Sequence, residues 1–436
     1  MLQDTTSVSP DPVESSQGWN TVTRPAFRFI FAYLIFYYWP GFIFDVLPFD
    51  TSRLTDWLQA PFLVLFPWVA IHVFHLSGPV TQFHETGAGD TTLGYIQVLC
   101  LSVIALVAAG IWTVCDRRRE YRTLYGALRL YTRYVLALAL LSYGFLKVFA
   151  GQMPEPTLST LTETYGQSSP MHLLWTFIGA SRPYEQFSGL AEVTAGALLL
   201  FRRTSTLGAC AGCGVMLNVV LLNFCYDVPV KIYSTHLFLL SLFLACGDAV
   251  PIFRLFVRGE AATLHAWPMP VLDAPRFRGA ASALKAALIA LMLYTAAWVP
   301  YQMTQSMLAG TRRHPAIYGV WAVDVGGRED SPPTGGAPWN QLVVNHFTSV
   351  VTRTDQGDSG YFIAAIDEAK HHLKMTGRWS RDAGDFDFSQ PDDAHLTLDG
   401  KMNGVKLLVK LHREKTTRFL LTSRGFHWIN EDPFNR

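Results

Sequence analysis

Charge is scarce in this chain. Of its 436 residues only 16% are Asp, Glu, Lys or Arg, while 50% are hydrophobic and 13% aromatic, a balance that a surface facing water does not carry. The formal net charge of +1 is spread through short loops rather than gathered into a patch, so it leaves no nucleic-acid footprint and no such partner is expected. Cysteine is sparse too: the six are Cys100, Cys115, Cys210, Cys213, Cys225 and Cys246. The C-terminal region therefore has no disulfide framework. Cys210-x-x-Cys213 has redox spacing, yet it sits among Gly208, Ala209, Ala211, Gly212 and Gly214. Such small residues let helices approach closely, and no adjacent cation lowers a thiol pKa, so helix packing is the expected role.

No Gly-rich phosphate loop, Walker motif, Ser-His-Asp signature or H-E-x-x-H is present, which argues against ATP-driven transport and the standard hydrolase classes. His72 with His75, and His371 with His372, lack a carboxylate at ligand spacing, and no metal site is expected. Internal repeats and low-complexity tracts are not evident. Residues 1–24 are polar, contain Pro10 and Pro12, and lack the short apolar run and small-residue cleavage site of a secretory signal. They are expected to form a cytoplasmic tail.

Long hydrophobic runs, by contrast, are abundant. Seven are of the length that crosses a hydrocarbon core, roughly 17 to 25 helical residues: Phe27 to Leu47, Gly94 to Cys115, Leu130 to Ala150, Pro183 to Phe201, Leu207 to Cys225, Ile232 to Cys246 and Ala280 to Val299. The richest basic loop, Arg117, Arg118, Arg119, Arg122, Arg129 and Arg133, should stay cytoplasmic. With seven spans this places the N-terminus inside and the C-terminal domain outside a bacterial cytoplasmic membrane. Phe62 to Leu76 is apolar over only about 15 residues, is interrupted by Pro67 and is flanked by Trp57, with Trp68 inside it, so it reads as a re-entrant or interfacial helix. The expected fold is thus a polytopic α-helical membrane bundle over residues 25–310, with about seven spans and one re-entrant or interfacial helix.

After Val299 the period changes. Gly310 and Pro315 mark a linker, and residues 315–436 read as an extracytoplasmic β-rich domain beginning near Ile317. Gly360 to Ile366, His395 to Leu398, Val405 to Leu411 and Arg418 to Leu421 are short, β-branched or aromatic runs. Asp399-Gly400 and Asn403-Gly404 supply turn chemistry between runs. An antiparallel meander or small barrel is expected. Gly319-x-Trp321 with Arg424 resembles the calycin arrangement, in which an Arg lies over a Trp at the barrel floor; an ordinary core Trp with a surface Arg is the alternative.

Ionisable residues inside a bilayer are costly and mark function by default. Lys147, near the outer end of the third run, and Glu192, in the fourth, are the candidate catalytic pair. A salt bridge would offset the cost of burying both charges and leave a proton-accepting group facing a cavity. The alternative is that Lys147 snorkels outward while Glu192 bonds a neighbouring helix. Tyr143, Gln152, Asn218, Asn223, Asp227, Lys231 and His236 are expected to line a polar ligand pocket on the same outer side; interhelical hydrogen bonds and caps are the alternative. Asp227 and Lys231 flank a short turn, where they would bind each other and cap the helix at Ile232.

Gly144-x-x-Lys147, Glu192-x-x-x-Gly196-x-Leu198-Leu199-Leu200, Arg202, Arg203 and Leu207-Gly208 together resemble the DoxX-like membrane family over about residues 128–250. The resemblance implies a four-helix module. It also implies kinship with the membrane subunit of a thiosulfate:quinone oxidoreductase and with proteins tied to thiol redox and oxidative stress. Quinone is the ligand implied, and no cofactor is read from the residues themselves. The N-terminal layout is similar to the transmembrane domain of vitamin-K-dependent carboxylase relatives. Two functions are compatible with these residues. One is a redox component with an outer-leaflet pocket; the other is a non-catalytic membrane-anchored binding or assembly protein whose β domain engages a lipid or an extracytoplasmic protein.

Overall fold

The computed structural model describes residues 19–431 apart from 42–43, 45, 48, 84–87, 264–277, 312, 325–338, 347, 355, 415–418 and 430. Most of the expected cytoplasmic tail, residues 1–18, lies outside the described residues. The chain divides into two compact units, Met1–Leu141 with Thr194–Thr295 and Ser142–Val193 with Ala296–Arg436.

The first unit is helical. It holds α1 (Thr23–Tyr38), α2 (Ser52–His72), α3 (Thr92–Cys115), the first part of α4 (Arg122–Val148), and, after α5 (Leu158–Leu161) and α6 (Pro170–Gly179), the end of α7 (Arg182–Leu200). Then come α8 (Ser205–Cys225), α9 (Lys231–Cys246), α10 (Ala249–Phe256) and α11 (Arg278–Leu293). Thr91 caps α3, its hydroxyl accepting from the Gly94 N–H at 3.0 Å, and α3 packs on α1 and α2. Near the other end of α3 the buried Arg28 is satisfied by the Tyr121 hydroxyl, Thr113 Oγ1 at 2.8 Å and the Asp116 carbonyl at 2.9 Å, so a full guanidinium is held without leaving the helix pair.

Among the described residues five helices are long and apolar enough to cross a membrane: α2, α3, α4, α8 and the run Gly279–Gly310; a sixth results if α9 and α10 are one span. The protein is membrane-embedded. The helices differ from the sequence expectation in two places. The segment read as short and interfacial belongs to a continuous 21-residue helix, Ser52–His72, with Pro61 and Pro67 inside it; a proline costs a hydrogen bond but does not stop a helix whose neighbours pack it. In contrast, α9 and α10 meet at 71°, and Asp248 at the bend is held by Arg129 Nη2 at 3.0 Å and Thr206 Oγ1 at 2.8 Å. A Cβ at Gly247 beside it would displace the Arg129 guanidinium.

The second unit contains the last part of α4, the segment with α5 and α6, most of α7, α12 (Val299–Thr311) and a closed β-barrel. Before α12 the helix widens to a π-turn at Tyr294–Trp298, where Pro300 has no N–H to return to the preceding turn. The eight strands are β1 (Gly319–Val323), β2 (Trp339–His346), β3 (Ser349–Thr354), β4 (Ser359–Asp367), β5 (His372–Gly377), β6 (Ala383–Ser389), β7 (His395–Met402) and β8 (Val405–Arg413). Each pairs antiparallel with the next, and β1 pairs with β8 to close the barrel. Alternation makes the wall: β6 turns Phe386 and Phe388 inward and Asp385 and Asp387 outward. Trp321, Leu342, Phe362, Leu373, Phe386 and Leu398 fill the interior, so the barrel is a packed core rather than a hollow calyx.

Two sequence expectations are corrected by the barrel. Asp399-Gly400 is no turn but lies inside β7, with Gly400 opposite Phe386 and so close to the Asp385 carbonyl that a Cβ would collide; the glycine is needed for close strand approach. Leu420 and Leu421 lie in a helical turn, Leu420–Ser423, because the barrel is already closed by β8; Arg418 is outside the described residues. Asn403-Gly404 does form the β7–β8 turn, with φ of +53° and +83°.

Candidate functional site

The site begins with two glycines. A Cβ at Gly144 would lie 2.8 Å from the Gly189 carbonyl and the Val193 N, and a Cβ at Gly189 would lie 2.5 Å from the Gly144 carbonyl and 2.8 Å from Lys147 Cβ. The α4 and α7 backbones therefore touch at this crossing, as small residues permit in membranes. Three residues beyond each contact glycine comes a charge, Gly144-x-x-Lys147 on α4 and Gly189-x-x-Glu192 on α7. Lys147 Nζ donates to Glu192 Oε1 at 2.5 Å, with the residues 7% and 2% exposed. The structure thus gives the pair reading over the snorkelling one: at 7% exposure the ammonium has not reached water.

Around the pair the polar set is larger than the sequence reading gave. Glu185, only 1% exposed, lies within electrostatic reach of Lys147 and accepts from the Met153 N–H at 3.0 Å and from the Gln152 backbone. It precedes Glu192 by seven residues, two helical turns, and so shares its face; that spacing was the signal available in the sequence. Tyr143 lies within electrostatic reach of Glu192. Thr304 of α12 abuts Gly151, again too close for a Cβ, and no sequence pattern announced it. Three buried atoms of this set, Glu192 Oε2, Gln152 Oε1 and Thr304 Oγ1, have no hydrogen-bond partner among the described residues. Buried oxygens of this kind normally have a partner.

The remaining candidates belong to the first unit. The Asp227–Lys231 pair forms at 2.8 Å across a turn in which Asp227 has φ +51°. Asp90 supplies the helix cap, its carboxylate accepting from the N–H groups of Lys231 at 2.7 Å and Ile232 at 2.8 Å. Asn223 Nδ2 donates to Ser234 Oγ at 2.9 Å, while Asn218 is exposed on α8. His236 stacks on Tyr37 with ring centroids 4.0 Å apart. Its Nδ1 faces the Ile232 carbonyl at 2.7 Å and its Nε2 the Tyr33 hydroxyl at 2.6 Å. A carbonyl can only accept, so Nδ1 carries the proton and, in the neutral ring, Tyr33 donates to Nε2. All six cysteines are free, and Cys210 is exposed. Among the described residues no cluster of three or more His, Cys, Asp or Glu could hold a metal ion.

A second polar centre lies where the segment between α4 and α7 meets the barrel. Ser169 caps α6, its hydroxyl accepting from the His172 N–H at 3.2 Å. Arg353 of β3 donates through Nη1 to the Thr162 carbonyl at 2.8 Å and Gln341 Oε1 at 3.1 Å, and through Nη2 to the Ser159 carbonyl at 2.5 Å. Asn345 Oδ1 accepts from the Ser159 N–H at 2.9 Å. Leu158 packs on Val320, Val343 and Val351, outward residues of β1 to β3. Arg353, Gln341, Asp324, Glu414 and Gln167 line a cavity of about 550 Å³. At the barrel floor the Arg over Trp321 is Arg413 of β8, at 4.4 Å from the ring centroid, donating to the Tyr318 carbonyl at 2.7 Å; Arg424 comes after the last strand.

Fold and site together define a membrane-embedded helical protein that carries a closed eight-stranded antiparallel barrel and a buried Lys–Glu pair. Over 124 residues it is 36% identical to the uncharacterized protein YwoB of Bacillus subtilis (strain 168), a match covering 28% of this chain and 79% of that relative. The chain belongs to the family of that protein. No family model matches the chain, and no solved structure matches it.

Proposed function

We propose that this chain is a DoxX-like redox component of a bacterial cytoplasmic membrane, in which Lys147 and Glu192 handle protons for a quinone or another small redox partner reached from the outer leaflet. One observation carries the reading: Glu192 holds Lys147 through Oε1 while Oε2, like Gln152 Oε1 and Thr304 Oγ1, is buried with no partner among the described residues. A buried carboxylate with one oxygen anchored and one open is arranged to accept a proton. Quinone reduction consumes two electrons and two protons; the electrons come from a thiol- or thiosulfate-type donor and the protons from that donor or water, relayed one at a time as Glu192 accepts each and passes it on. Glu185 fixes the Met153 backbone and so holds the neighbouring Gln152 beside the pair. The barrel is read as a calycin-type domain outside the cytoplasm, supported by the Arg413–Trp321 floor.

The test is a pair of variants. Glu192→Gln keeps the shape and a hydrogen bond but accepts no proton at neutral pH, so it should fold while losing quinone-dependent turnover in purified membranes. Glu192→Ala strands the Lys147 charge and should destabilise the protein by roughly 3 to 5 kcal/mol. Full turnover in a folded Glu192→Gln protein would end the redox reading. The competing reading, a non-catalytic binding or assembly protein, is favoured by the cavity beside Arg353, which lies outside the barrel rather than within it.

A further inference from the structure

The outer wall of the barrel carries an apolar stripe across four strands. Register sets Val320 opposite Val343, Val343 opposite Val351 and Val351 opposite Tyr361. The three valines are buried, packed together with Leu158 against them, in the segment that links α4 to α7. The fourth member is not covered. Tyr361 on β4 is exposed, its strand neighbour Ile363 is 56% exposed, and Trp379 in the β5–β6 turn is 74% exposed. These residues are locally ordered: Trp379 packs edge-on to Tyr361 with centroids 5.2 Å apart, Arg378 lies over the Trp379 ring at 5.2 Å, and the Arg378 N–H donates to the Tyr361 carbonyl at 2.9 Å.

We propose that Tyr361, Ile363, Trp379 and Arg378 form a membrane-contact surface that seats the barrel on the lipid headgroup zone of the bilayer holding the chain's own helices. Continuity with an existing interface identifies the occupant. The covered part of the stripe faces the segment that follows α4, one of the helices long and apolar enough to cross a membrane. Tyr361 stands at the edge of that cover, within electrostatic reach of Glu163 in the same segment. The uncovered end of the stripe continues that covered face across β4. Its chemistry suits that zone, where Trp and Tyr rings place an apolar body toward acyl chains and a polar edge toward water. Arg378 and the exposed Arg381 offer charge to lipid phosphates. A lone exposed tryptophan would need no explanation. A tryptophan, a tyrosine and an isoleucine continuous with a buried stripe do.

The experiment places the photoreactive residue p-benzoylphenylalanine at position 379 of the full chain, reconstituted in vesicles of phosphatidylethanolamine and phosphatidylglycerol. Adducts are read by mass spectrometry, with Leu106 on α3, 64% exposed, as the lipid-facing reference and Val405 on the barrel as the comparison. Lipid adducts at 379 should exceed those at 405 by several-fold and approach those at 106. Equal and low lipid yields at 379 and 405 would overturn the proposal. Crosslinking of 379 to protein in intact cells, with no lipid adduct, would overturn it as well and make the patch a protein-docking site. Position 379 is exposed, so the label does not threaten the fold. The Glu192→Gln result has no bearing on this outcome.

Discussion

Arg413 shows how one side chain can close a barrel. Its guanidinium covers the Trp321 face, donates to the Tyr318 carbonyl and, through Nε, to the Asp393 carbonyl at 2.7 Å; Gly319, at φ +148°, leaves room for it. Arg413→Ala should lower barrel stability by about 2 to 4 kcal/mol, the scale of one cation–π contact and two charge-assisted hydrogen bonds, whereas Arg424→Ala should leave Trp321 packing intact. Denaturant unfolding followed by tryptophan fluorescence separates the two. At the helix crossing, Gly189→Ala places a methyl 2.5 Å from a carbonyl and should cost roughly 1 to 3 kcal/mol through overpacking, read by thermal inactivation in detergent. Sequence reasoning found Lys147 and Glu192 because a charge in an apolar run is conspicuous by itself. The resemblance pointed to Arg424 and left Arg413 unnoticed, because which Arg reaches the floor depends on closure between β1 and β8, a pairing of strands far apart in the chain that no local pattern contains.

At the scale of elements, alternation and turn chemistry made β4, β7 and β8 readable, while length decided α2. Its apolar run counted from Phe62, but the helix begins at Ser52, whose start is marked by the Ser52 N–H donating to Asp50 Oδ1 at 2.9 Å. The β2–β3 connection carries a pH response. Burial, reinforced by His314, pushes the His346 pKa below its usual value, so the folded barrel prefers the neutral ring. The unfolded chain takes up the proton near about 6.5. The stability tied to this group is therefore complete above that pH and is lost as pH falls below it through the lowered pKa of the folded barrel. His346→Gln should flatten the fall in melting temperature between about pH 7 and pH 5 relative to the unaltered protein. Asp367 and Asp392 do not compete in that window: hydrogen bonds, from the Lys370 backbone and the His395 side chain respectively, hold both below the usual carboxylate range, so their contributions disappear only in stronger acid.

For the whole molecule, topology is the first question. A reporter fused after Arg436 should be active only when exported, and cytoplasmic activity would reverse the map drawn from the basic loop before α4. The five helices among the described residues that are long and apolar enough to span, or six with the bent pair α9–α10 counted as one, leave the side of the N-terminus to a second reporter, since counting α2 as a span places that end outside. The attachment between the barrel and the segment linking α4 to α7 has a consequence for how the protein is made. Ser159 and Thr162 leave the ribosome long before Arg353 and Asn345, which bind them. Leu158 must likewise wait for the three valines it helps cover. Assembly is therefore ordered: the segment after α4 is made first, and the barrel strands, made later, complete their contacts with it. A barrel made without that segment would leave its valine stripe uncovered, so the finish of its outer wall depends on a contact whose first half is made nearly two hundred residues earlier.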